Sequence, residues 1–223
     1  MHAVCFSPQA DLVGGAVIGA IGLDALLHVG RRRDMLALAA LPLVLGVHQL
    51  IESIVWWGLK GDVPHRLGSV ALWAYLLIAF VILPILVPVA VLWSEPTKRR
   101  QLMMAPFVAV GVGVAGVLLT AMLRGPLTVQ LRPYHLSYGI QLKDSFPVIA
   151  LYVVAVCGAL LFSGHRHVVM FGAVNLVAIG VIAWLTVDGF ASVWCGWAAV
   201  TAGVIAAKMR WTEPSGSAHI ALA

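Results

Sequence analysis

Seven apolar runs, each close to the ~20 residues that bridge a hydrocarbon core, take up most of this chain. They span about 11–29, 35–58, 67–93, 102–123, 145–163, 167–186 and 188–208. In lipid, every backbone N–H and C=O must be satisfied internally, which leaves helices and closed barrels as spanning structures. Runs of this length predict helices. The expected fold is an all-α integral membrane protein, a seven-transmembrane helix bundle. Composition agrees: 61% of the 223 residues are hydrophobic and 10% are charged, against about 25% charged in a soluble domain. The formal net charge of +5 does not point to nucleic acid, because the basic residues sit in short clusters at span ends.

Those clusters predict an orientation. Arg31, Arg32, Arg33, Lys98, Arg99, Arg100, Arg166, Lys208 and Arg210 fall on one side, and Lys60, Arg66, Arg124, Arg132 and Lys143 on the other. The excess of cationic residues marks the cytoplasmic face. The expected arrangement is a multi-pass inner-membrane protein with its N-terminus outside and its C-terminus in the cytoplasm. Residues 1–210 read as one transmembrane domain and 211–223 as a disordered tail. No basic segment precedes the first apolar run, so no cleavable signal peptide is expected. Cys5, Cys157 and Cys195 form no CxxC pair, which argues against a zinc ribbon or a redox motif.

One connection is long, between spans four and five. Leu127-Thr-Val-Gln-Leu131 and Leu136-Ser-Tyr-Gly-Ile-Gln-Leu142 alternate and are rich in β-formers, with Arg132-Pro-Tyr-His135 as a turn. This predicts an extracytoplasmic β-hairpin, either a lid over a cavity or an ordinary loop.

The second span carries the candidate chemistry. His48 and Glu52 stand four apart and share a helix face. A carboxylate in lipid costs at least ~2.5–3.5 kcal/mol on insertion scales, so it is a functional-site hypothesis by default. The alternative is a structural polar pair that fixes helix packing. Span two runs outward, which puts Glu52 about two turns below its outer end. Asp188 falls at the outer end of the last hairpin. Trp56, Trp57, Trp73, Tyr75, Tyr152, Trp184, Phe190, Trp194 and Trp197 belong to the same outer half, and Asn175 is mid-span. The other half is richer in Val, Ala, Leu and Gly. An interfacial belt accounts for part of the aromatic set. The rest suits a greasy, cation-forming ligand, because ring faces attract positive charge. Asp24 and His28 make a second i,i+4 pair, expected to be an interfacial ion pair.

No metal and no cofactor are expected. The sequence holds no HExxH, no Asp-rich diphosphate motif and no Gly-rich phosphate loop. A retinal-type Schiff base needs a mid-span lysine, and Lys208 lies at the end of the last run.

The blocks Val4-Cys-Phe-Ser-Pro-Gln-Ala10, His48-Gln-Leu-Ile-Glu-Ser-Ile-Val-Trp-Trp57, Leu151-Tyr-Val-Val-Ala-Val156 and Phe190-Ala-Ser-Val-Trp-Cys-Gly-Trp-Ala-Ala199 resemble an uncharacterised bacterial family of short polytopic proteins opening Met-Cys-Phe-Ser. The chain also resembles the small seven-span terpene cyclases of meroterpenoid and indole-terpenoid pathways. Those hold an essential acid in the second span, at the position of Glu52. Leu50 and Ile51 stand where that family has an aromatic and a Trp. The tract Val187-Asp-Gly-Phe-Ala-Ser-Val-Trp-Cys-Gly-Trp197 resembles a late span of the same family, with Asp188 as a second acid.

The resemblance implies proton-initiated cyclisation of a prenylated lipophilic substrate. Glu52 is then the general acid, with His48 or Asp188 tuning or reprotonating it. Trp56, Trp73, Tyr75, Tyr152, Asn175, Trp194 and Trp197 are the expected substrate-binding residues. Partners are that substrate and membrane lipid. A proton-coupled transporter or channel using His48 and Glu52, and a metal-dependent lipid hydrolase, are the alternatives.

Overall fold

The structure is a computed structural model that describes residues 7–29, 33–131, 135–142 and 145–185, with Trp197 and Gly203. Apart from Trp197 and Gly203, the seventh apolar run, with Asp188 and Trp194 in it, lies outside the described residues, as does the 211–223 tail.

The described chain is mostly helical. Helix α1 (Pro8–His28) begins where Ser7 accepts a hydrogen bond from the Ala10 N–H at 3.2 Å, with Pro8 at its first position. Both are ordinary helix-start devices. After a short 3₁₀ turn, Arg33–Met35, α2 runs Leu36–Lys60 and stops at Gly61, whose φ of 82° is left-handed. Glycine adopts that conformation without a Cβ penalty. Helix α3 (His65–Leu77) continues through a π-helical segment, Ile78–Ile82, into α4 (Leu83–Ser94). Helix α5 covers Lys98–Arg124. Strands β1 (Thr128–Leu131) and β2 (Leu136–Gly139) pair antiparallel, Val129 opposite Tyr138 and Leu131 opposite Leu136. Helix α6 (Ser145–Val153) passes through a second π segment, Val154–Gly158, into α7 (Ala159–Leu161), and α8 covers Arg166–Leu185.

Among the described residues, four helical stretches are long and apolar enough to cross a membrane: Pro8–His28, Leu36–Lys60, His65–Ser94 and Lys98–Arg124. Ser145–Leu161 and Arg166–Val181 are shorter apolar helices. Leu27, Leu102, Leu123, Val177 and Trp184 are among the large apolar side chains that stay exposed, as suits surfaces facing lipid tails.

Small residues bring the helix backbones together, the usual packing device where lipid offers no hydrophobic drive between helices. A Cβ on Gly15 would stand 2.8 Å from the Gly46 carbonyl oxygen, one on Gly22 would overlap the backbone of Leu43, and one on Gly58 would stand 2.7 Å from the Cα of Gly68. These contacts make α1, α2 and α3 successive antiparallel neighbours.

The first π segment precedes Pro84. Proline has no N–H for the carbonyl four residues back, and a widened turn absorbs the mismatch. The Ala79 carbonyl in this segment accepts the Tyr152 hydroxyl at 2.7 Å, tying α6 to the α3–α4 rod.

At the end of the bundle opposite the hairpin, Glu95, in the connection between α4 and α5, turns inward. Its side chain is fully buried. Its Oε1 accepts the Ser163 hydroxyl at 2.9 Å and the Gly164 N–H at 2.7 Å, while Oε2 lies 3.5 Å from Arg100. His165 Nε2–H donates to the Ser94 carbonyl at 2.9 Å. This knot joins the α4–α5 and α7–α8 connections. Glu95→Ala strands the Ser163 and Gly164 donors, so a stability loss of about 1–3 kcal/mol is expected, read as a lower thermal midpoint in detergent. An unchanged midpoint would show that the knot contributes nothing.

Candidate functional site: a buried acid among stacked rings

Glu52 lies on the buried face of α2, with His48 one turn earlier and Ser53 beside it, all three fully buried. The i,i+4 spacing places His48 and Glu52 together, and tertiary structure gives each its own partner. A carbonyl oxygen only accepts, so the 3.1 Å contact between His48 Nε2 and the Tyr75 carbonyl fixes a proton on Nε2. Nδ1 is buried with no hydrogen-bond partner among the described residues. A neutral ring with this tautomer presents a lone pair there.

The acid meets its partner from far along the chain. Tyr138, on β2, donates its hydroxyl to Glu52 Oε1 at 3.2 Å. Its ring stacks on Tyr75, with centroids 4.4 Å apart and planes at 20°. Tyr75 in turn stacks on the His48 imidazole at 4.0 Å and 20°. The three rings form a column beside the carboxyl. Trp56, Tyr75 and Leu136 belong to one buried cluster with Val55, Ala71, Leu76 and Met122, against which Ile51, Phe80 and Tyr138 pack. The hairpin therefore folds back onto the bundle.

Asp11 was not foreseen. It stands in the first turn of α1, where an acid reads as a favourable partner for the helix N-terminus. The structure buries it and sets its carboxyl against the indole of Trp56. Lys60 Nζ sits 5.7 Å from the centroid of the same indole. Gln49 is buried on α2 as well. The buried polar side chains of α1 and α2 among the described residues are thus Asp11, His48, Gln49, Glu52 and Ser53.

Of the expected substrate-binding residues, Trp56 and Tyr75 are buried near Glu52 in the hairpin-end cluster. Tyr152 is buried and bonded to Ala79. Asn175 is buried, its amide donating to the Phe171 carbonyl at 2.8 Å within α8. Trp73 and Trp197 are on the outside, 41% and 39% exposed. Trp73 is two residues from Tyr75, so a helix turns it away from the face that Tyr75 uses. Asp24 and His28 make the expected pair at 3.3 Å on an open surface.

Tyr138 was also missed as a site residue. Its only sequence signal was its place in an alternating segment, because the contact to Glu52 crosses 86 positions. Among the described residues no three His, Cys, Asp or Glu side chains gather as a metal site.

No curated protein and no solved structure matches the chain. Residues 4–219 match the model of DUF6629, a family of unknown function, and the chain belongs to that family.

Proposed function

We propose that this chain is a membrane-embedded terpene cyclase, oriented with its N-terminus outside and its C-terminus in the cytoplasm, in which Glu52 starts the cyclisation of a prenylated lipophilic substrate. One observation carries this reading: a fully buried carboxyl stands beside a stacked column of His48, Tyr75 and Tyr138, with Trp56 one helical turn away. Glu52 Oε1 accepts from Tyr138, and the protonated carboxyl carries the transferable proton. That proton passes to an alkene carbon or an epoxide oxygen of the substrate. The cation that forms is attacked by the π electrons of the next double bond, closing a ring. Loss of a proton from a neighbouring carbon restores an alkene, and the carboxylate takes a proton back. Ring faces stabilise the passing positive charge, and exclusion of water prevents its early capture. A substrate dissolved in the bilayer reaches the site laterally.

The test is to incubate membranes containing the chain with prenylated phenols and their terminal epoxides, then separate the products by mass and retention time. Cyclisation gives ring isomers of unchanged mass. No new isomer from any substrate counts against the reading.

Proton-coupled transport draws on a different observation, the run of buried polar side chains Asp11, Gln49, His48, Glu52 and Ser53. It predicts proton flux into liposomes that depends on both His48 and Glu52.

Activity is expected to survive EDTA, because a catalytic zinc needs about three converging protein ligands. Loss in EDTA, restored by one divalent ion, would move the reading to a metal-dependent lipid hydrolase.

A further inference from the structure

Strand β2 presents alternate residues to the bundle. Leu136 and Tyr138 are two apart, so they lie on one face of the strand. Leu136 is fully buried against the cluster that holds Trp56 and Tyr75. Tyr138 stacks on Tyr75 and donates to Glu52. Among the described residues, β2 pairs with β1 alone, in a two-stranded sheet. An isolated two-stranded hairpin is marginally stable at best, so docking through Leu136 and Tyr138, with Leu127, Val129 and Ile140 against the same cluster, is what holds this one in place. Glu52, Tyr75 and His48 are all fully buried beneath it.

We infer that Tyr138 is a positioning residue for Glu52, and that β2 is a gate that must undock before a ligand reaches the carboxyl. Closed, the Tyr138 hydroxyl fixes the rotamer of Glu52 through Oε1, and the Tyr138 ring completes the aromatic wall. Open, both the wall and the clamp are lost together, because one strand carries them. The inference deepens the proposed acid role of Glu52, yet the gate can be tested without any substrate.

The probe is N,N′-dicyclohexylcarbodiimide, an apolar reagent for buried carboxyls, applied to the full chain in liposomes. The carboxyl proton moves to a carbodiimide nitrogen and the carboxylate oxygen bonds to the central carbon. The acyl group then shifts from oxygen to nitrogen, leaving an N-acylurea on Glu52 that peptide mass spectrometry reads. Tyr138→Phe keeps the ring and removes the hydroxyl. It should raise the Glu52 labelling rate about tenfold, the size expected for loss of one hydrogen bond. Leu136→Ala should raise it as well, by loosening the docked strand. Ser163→Ala, which breaks a buried hydrogen bond at the far end of the bundle, should leave it unchanged. Labelling of Tyr138→Phe at the wild-type rate overturns the clamp.

A second measurement needs no variant. Across a temperature series, Glu52 labelling in the unmodified protein should rise in step with hydrogen exchange of the β2 amides. Labelling that rises while those amides stay protected overturns the gate. Should Glu52→Gln keep full turnover while labelling still follows β2, the acid role falls and the gate stands. Should Glu52→Gln be inactive while labelling ignores β2, the gate falls and the acid role stands.

Discussion

On the proposed acid role, Glu52→Gln is expected to lower turnover of a prenylated lipophilic substrate by at least ~10²-fold, the usual scale for removal of a general acid. The variant should express and unfold in detergent much like the native chain. Gln has nearly the shape of Glu, and its amide oxygen still accepts the Tyr138 hydroxyl that reaches Glu52 at 3.2 Å. It has no proton to give. Turnover and unfolding must be measured on the same preparation, because the position is fully buried and a folding defect would imitate a chemical one. Near-native turnover by a folded Gln variant would end the acid assignment. Loss of folding with Gln would instead favour a structural polar pair, the reading in which Glu52 and His48 only fix helix packing.

Gly111→Ala should be among the most destabilising single-methyl changes in the described bundle. A Cβ on Gly111 would overlap the carbonyl oxygen of Pro84 and stand 3.0 Å from its carbonyl carbon. Both are backbone atoms, so no side-chain rotation relieves the clash and α4 must move away from α5. Overpacking of this kind costs about 1–3 kcal/mol. Gly113→Ala is the matched control, two residues on in the same helix, where a Cβ meets nothing within 4 Å. Alanine is a better helix former than glycine by up to about 1 kcal/mol, so this variant should be neutral or more stable. The comparison is the denaturation midpoint of each variant in the same detergent. Equal midpoints would mean that α4 and α5 do not approach as closely as the structure has them.

Hydropathy and spacing carried much of the architecture. The apolar runs at 35–58, 67–93 and 102–123 fall on α2, on the continuous α3–α4 rod and on α5. Burial of apolar side chains and satisfaction of backbone groups are local demands that a window of ~20 residues already expresses. The pairing of β1 with β2 followed in the same way from alternation around a turn. The π segments did not follow, although Pro84 marks the site of one, because where a helix widens depends on what packs beside it. Here that neighbour is Tyr152, bonded to Ala79.

The site divides along the same line. His48 and Glu52 were legible because four residues make one helical turn, a geometry the chain fixes by itself. Their partners were not legible. Tyr75 and Tyr138 come from two other elements, as does Asp11 beside Trp56, and only the tertiary packing sets their distances. Glu95 shows the same limit. In sequence it stands among Pro96, Lys98 and Arg99 as loop punctuation, yet Ser163 and Gly164, some seventy residues on, close over it. Along the described residues, hydropathy and helical spacing were enough to mark the apolar helices and the buried carboxylate of α2. The tertiary structure decided what that carboxylate touches, because a hydrogen bond or a ring stack needs partners within a few ångströms, and their separation along the chain does not determine that distance.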